Sequence, residues 1–133
     1  NRAPLSFDFF DVVTKNVPNY ANYTLRADNV FKAGEPILLY AEPIGYAFMR
    51  KGEAFRFSLE ADFELLDSNG KILGGQKKFQ RWVFESKAPT FDFYMNLTYS
   101  FNGLAPGKYA VRTVLHDLVD EDEAWFEFPF EIR

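Results

Sequence analysis

From Phe55 to Leu65 the chain alternates without a slip. Phe55, Phe57, Leu59, Ala61, Phe63 and Leu65 are apolar, while Arg56, Ser58, Glu60, Asp62 and Glu64 are polar. Successive side chains of a pleated strand point to opposite faces, so this period of two gives one face to a core and the other to water. On a helix the same apolar groups would scatter around the whole cylinder. A half-buried β-strand is predicted.

The pattern returns along the chain. Phe91, Phe93, Met95, Leu97, Tyr99 and Phe101 share one side of a second strand, with Asp92, Asn96, Thr98 and Ser100 on the other. Tyr109, Val111 and Leu115 mark a strand from Tyr109 to Leu118, and Ala124, Phe126, Phe128, Phe130 and Ile132 mark the last one. Ile37 to Tyr46 is largely apolar but holds Pro43, which cannot donate to a ladder and so predicts a bulge or an edge. Asp67-Ser68-Asn69-Gly70 predicts a hairpin turn. The return strand runs to Ser86 and carries Phe79, Trp82, Val83 and Phe84, with a bulge or bend predicted at Gly74-Gly75. Residues 1–24 are the least readable part. They suggest a strand over Leu5 to Val13 with Phe7 and Phe9 on one face, then a loop from Asn16 to Tyr23, with a short strand from Tyr23 to Ala27 following. Asp28-Asn29 offers a turn ahead of Val30 and Phe31. About seven or eight strands, with no helical period and no repeat, predict an all-β sandwich or barrel.

A chain of 133 residues fits one domain spanning 1–133. Sixteen phenylalanines supply a core without disulfides or metal staples, and the absence of Cys removes thiol chemistry and zinc-thiolate sites. The net charge of -4 and the lack of a Lys/Arg cluster lead to the expectation of no nucleic-acid or anionic-lipid partner. No apolar run reaches the roughly 18 residues of a membrane-spanning helix, so no membrane insertion is expected. The chain starts at Asn1 without Met, which suggests trimming.

Gly103-Leu104-Ala105-Pro106-Gly107-Lys108-Tyr109-Ala110-Val111-Arg112, with Leu115 and Asp117 beyond, resembles the tail motif of bacterial immunoglobulin-like domains. The run from Phe31 to Tyr40, with its Gly34-Glu35-Pro36 turn, is similar to the opening of an early strand in such domains. The likeness covers residues 28–133 and its motifs specify turns and core positions, so it carries over no catalytic residue. It implies a single-domain antiparallel immunoglobulin-like β-sandwich associated with the bacterial cell envelope, periplasmic or secreted.

Candidate chemistry is sparse. His116 is the one histidine, and its neighbour Asp117 points to the opposite face of the strand, so the two do not form a dyad. No serine lies in a nucleophile-elbow context. Asp117, Asp120, Glu121, Asp122 and Glu123 could offer oxygens to calcium, but their spacing does not fit an EF-hand, and a solvated hairpin tip accounts for them. Asn22-Tyr23-Thr24 and Asn96-Leu97-Thr98 match the glycosylation triplet, which arises often by chance. Trp82, Tyr94 and Trp125 stand out, because two fall on polar faces of their strands and all have rings with a polar tip. They are the expected ligand-binding residues, with packing under the N-terminal segment as the structural alternative. The expected function is a non-catalytic protein-interaction or structural module. A carbohydrate-binding module using the three aromatics, or a small hydrolase using surface carboxylates, are the alternatives. No cofactor or metal is expected, and the oligomeric state stays open.

Overall fold

The computed structural model describes residues 3–89 and 92–133. Its strands are β1 (Ser6–Val12), β2 (Val30–Phe31), β3 (Ile37–Ile44), β4 (Met49–Lys51), β5 (Ala54–Asp67), β6 (Ile72–Ser86), β7 (Met95–Tyr99), β8 (Gly107–Asp117) and β9 (Glu123–Ile132). The described residues contain no helix. Strands β1, β3 and β7 form a small sheet in that order. The larger sheet runs β2-β9-β8-β5, with β6 along one edge of β5 and β4 following β8 along the other.

Strand β5 is the alternating stretch itself, and in the larger sheet it stands between β8 and β6. Phe57, Leu59, Ala61 and Leu65 are buried between the sheets. They meet Leu39, Met95, Leu97 and Tyr99 from the small sheet and Phe126, Phe128 and Phe130 from β9. The small sheet is covered on its other side too. Val13, Val17 and Tyr40 form a second buried cluster there, with Phe9, Tyr23, Leu38 and Tyr94 packed against it. The N-terminal segment is thus a third layer. Its attachment is specific: the Asn96 side chain accepts from Val17 N and donates to Val17 O, both at 2.9 Å. Tyr40 Oη accepts from Ala21 N at 2.9 Å and donates to Glu42 at 2.5 Å.

The expected antiparallel immunoglobulin-like β-sandwich of seven or eight strands is corrected. The chain is all-β, but its larger sheet is mixed and curls as half a barrel. Strand β2 runs parallel to β9, pairing Val30 with Glu131 and Phe31 with Ile132. A two-residue strand carries no alternation to read, so the sequence predicts only the Asp28-Asn29 turn ahead of Val30 and Phe31. The expected strand over Tyr23 to Ala27 reduces to one bridge between Val13 and Leu25. The shared face of Phe7 and Phe9 is also corrected. Pairing slips between them, so Phe7 meets Phe126 in the main core while Phe9 stacks on Tyr23 in the second cluster. Phe91, expected to open the strand that holds β7, lies outside the described residues.

One expected turn holds, and so does the irregularity expected at Pro43. Gly70 has φ of 82°, and the Asp67 side chain accepts from Asn69 N and Lys71 N, which closes the hairpin. Pro43 sits beyond the reach of β7, which pairs only with residues 37–41 of β3, and next to the slip in β1. A missing donor costs nothing there.

Candidate functional site

The sheets close around their core on one side, where Phe7 and Phe10 of β1 reach Phe126 of β9. On the other side their rings touch, as where Phe79 of β6 lies 5.6 Å from Tyr99 of β7, but their backbones do not pair among the described residues. Among the described residues β6 pairs with β5 alone, and β7 pairs with β3 alone. A cleft of about 450 Å³ opens between these two edges. Phe57, Trp82, Phe84 and Phe93 form its apolar wall, with Gln80, Asp92, Tyr94 and Asn96 around it.

The alternation of β6 explains the wall. Gln80, Trp82 and Phe84 stand opposite Ala61, Leu59 and Phe57 of β5, so they share the inward face. Toward the strand's end the cover thins, and Phe84 is left open. Trp82 is 9% exposed and set edge-on to Phe93 at 6.3 Å, while Phe84 is 47% exposed and stacks on Phe57 at 5.4 Å. Tyr46 closes the floor behind them, touching Phe57 at 4.7 Å and Phe93 at 6.0 Å. Burial pushes the Tyr46 hydroxyl up to about 12.

The three expected binding residues do not meet at one place. Trp82 and Tyr94 both line the cleft. Tyr94 also stacks on Tyr40 at 5.6 Å, under the N-terminal layer. Trp125 is on the far face of the larger sheet, 61% exposed, with the Arg112 guanidinium 5.4 Å from its ring centre. Adjacent residues on a strand face opposite ways, so Trp125 cannot join a cleft that its neighbour's face supports. A sugar platform built from all three rings is therefore not formed. Phe84, Phe57 and Phe93 were missed as site residues, because a sequence cannot show where a core stops being covered.

The same far face holds a polar groove of about 500 Å³ lined by Glu60, Asp62, Lys77, Lys78, His116 and Glu121, among others. His116 Nε2 lies 2.8 Å from Asp62 Oδ2, and Nδ1 lies 3.4 Å from Glu123 Oε2. Asp62 Oδ1 accepts from Lys78 N at 2.7 Å, and Lys77 Nζ is 3.8 Å from Oδ2. Burial pushes the Asp62 carboxyl up, yet the Lys78 N–H, the His116 contact and the Lys77 charge outweigh it and hold it below the usual carboxylate range. Each ring nitrogen of His116 already faces a carboxylate. The group works as a clamp joining β5, β8 and β9, and it was missed because Asp62 and His116 lie 54 residues apart.

The acidic hairpin is also corrected. Asp117 is only 1% exposed, not part of a solvated tip. It accepts from Ala47 N at 2.7 Å and Val119 N at 2.9 Å, tying the β3–β4 connection to the β8–β9 turn. Asp122 accepts from Leu5 N at 2.9 Å and from Glu123 N at 2.9 Å. These carboxylates cap backbone donors.

Fold and cleft together define a class: an all-β domain with an open, aromatic-lined seam between two strand edges. No protein-family model matches the chain, and no curated protein matches it. Among solved structures it is similar to the Pseudomonas fluorescens alkylpurine DNA glycosylase AlkC bound to DNA containing an abasic site analog, at a TM-score of 0.49 and 13% identity, over 98% of this chain and 31% of that one. The chain thus spans about a third of the length of that protein. That neighbour is an enzyme and is bound to DNA, so the expectations of a non-catalytic chain and of no nucleic-acid partner are withdrawn. At this degree of likeness neither property passes to this chain. The envelope terms drawn from the immunoglobulin-like resemblance lose their support along with the antiparallel sandwich.

Proposed function

We propose that this chain is a protein-interaction module that receives a partner's segment in the cleft between β6 and β7. One observation carries the reading: an apolar wall of Phe57, Trp82, Phe84 and Phe93 opens between two strands that, among the described residues, are each paired on one edge only. The exposed Phe84 ring over a buried floor of Phe57, Trp82 and Phe93, beside backbone unpaired among the described residues, combines the two things a peptide uses for docking, a pocket for side chains and a ladder for main chain. Gln80 and Asp92 at the rim supply polar groups that would orient what enters.

Display selection of random peptides on the parent chain, counter-screened on Phe84→Glu, tests this. Phe84 is half exposed, so the variant should fold, as a melting curve would verify. Selected peptides should lose binding to Phe84→Glu. Equal retention by parent and variant would place the binding surface elsewhere.

A further inference from the structure

We infer that the occupant of the cleft is an extended peptide, acidic and apolar at alternate positions, added as a new strand to the free edge of β6 over Gln80–Ser86. This rests on the interaction reading above and deepens it.

Backbone comes first. Between Ala61 and Phe63 the pairing of β6 jumps from Gln80 to Gln76, so Lys77, Lys78 and Phe79 bulge opposite Asp62 alone, with Lys78 at φ of 53°. Such a bulge interrupts an edge and blunts it against pairing. Beyond it, Gln80 to Ser86 continues in unbroken register with β5. Seven residues extend about 23 Å, and alternate N–H and C=O groups of this segment point away from β5. Main-chain pairing to such an edge is a general mode of peptide recognition.

Side chains then set the chemistry of the guest. On the inward face Trp82 and Phe84 border the cleft, so the facing positions of an added strand would be apolar. On the outward face Arg81 is exposed, and Lys78 and Lys87 flank the segment. No carboxylate among the described residues forms an ion pair with any of these three, although Glu60 is the cross-strand neighbour of Arg81. Glu85 is already engaged by Lys51 at 3.2 Å. Lys78 lines the carboxylate-bearing groove of the far face, so acidic residues at the outward positions of the guest would serve Arg81 and, at the strand's end, Lys87; charge matching across a rim governs which partner is accepted.

A second copy of the chain fits less well. A two-fold pairing centred on Val83 would set Arg81 opposite Glu85, but Lys51 already engages Glu85 at 3.2 Å. A dimer in sedimentation that Arg81→Glu disrupts would overturn the peptide in favour of a second copy. Nucleic acid, which a basic rim could also take, is distinguished by competition with an oligonucleotide.

The test uses a Trp125→Phe variant, in which Trp82 is the sole tryptophan and reports from the cleft wall. The probe is a capped heptapeptide alternating glutamate with phenylalanine or valine. Its titration should change Trp82 emission saturably. Replacing its glutamates by lysines, or making Arg81→Glu in the protein, should weaken it at least about tenfold. Methylating the backbone nitrogens that face β6 should abolish binding. A methylated peptide that still binds, and still depends on Phe84, would overturn strand addition while leaving the cleft intact as a binding site. No binding of any of these peptides, with display selection also blind to Phe84→Glu, would overturn both. Displacement of the heptapeptide by a single-stranded oligonucleotide of equal charge would overturn the assignment in favour of nucleic acid.

Discussion

Tyr40, Tyr46 and Tyr99 are the residues where burial has the clearest chemical consequence. Burial raises the pKa of each hydroxyl. The Glu42 carboxylate adds to this at Tyr40, and the Thr113 hydroxyl opposes it at Tyr99. In the unfolded chain all would ionise near 10. A raised folded value contributes stability that is complete below about 10 and is lost as pH climbs through the folded value. Phenolate absorbance and far-ultraviolet circular dichroism, followed together, should therefore show these three of the seven tyrosines ionising only as the fold is lost. All seven titrating near 10 with the sheet signal intact would contradict that burial. Asp62 has the opposite sign. Its lowered value contributes stability above about 4 that is lost as pH falls through the folded value. Asp62→Asn should cost about 1–3 kcal/mol at neutral pH, since it weakens hydrogen bonds to a charged group. The gap should close below about pH 4. A gap independent of pH would point to packing instead. At this scale the sequence was informative about composition alone. It marked Trp82 and Tyr94 as unusual, but whether a ring or a carboxylate is covered depends on residues far along the chain.

Strands were more legible. The alternation of Ala124 to Ile132 is the burial pattern of β9, and that of Phe55 to Leu65 is the pattern of β5 except at Ser58, which is buried on the face expected to be wet. Bulges were less so. Gly74-Gly75 pointed to a bend, and close approach does require Gly75: a Cβ there would fall 2.3 Å from Phe63 O. The larger slip lies at Lys77-Lys78, where two lysines carry no turn signal and Asp62 supplies the acceptor. Gly75→Ala should thus cost about 1–3 kcal/mol as an overpacked contact. Gly74→Ala, which meets open space, should stay within about 0.5 kcal/mol. Urea melts of the pair would show it, and equal effects would contradict the close approach. Likewise Phe57→Ala, at a buried position, should cost about 3–5 kcal/mol, far more than Glu60→Ala on the opposite face.

At the scale of the molecule, three layers are stacked: the N-terminal segment, the small sheet and the curled larger sheet. This arrangement was the least legible part. A run of strands predicts sheets, but which edges pair is decided by contacts distant in sequence, so the parallel β2 and the open seam left no local trace. The N-terminal layer explains why Tyr94, on the polar face of its strand, is half-buried. The openness of the seam is what the functional reading depends on, and it can be measured without any ligand. Amide hydrogen exchange of the free protein, resolved by residue over Gln80–Ser86, is the most direct test. Alternating slow and fast amides are expected there, the slow ones bonded to β5 and the fast ones facing the unpaired edge. Uniformly slow exchange across those seven residues would mean that the edge is already covered, and the binding seam would not exist.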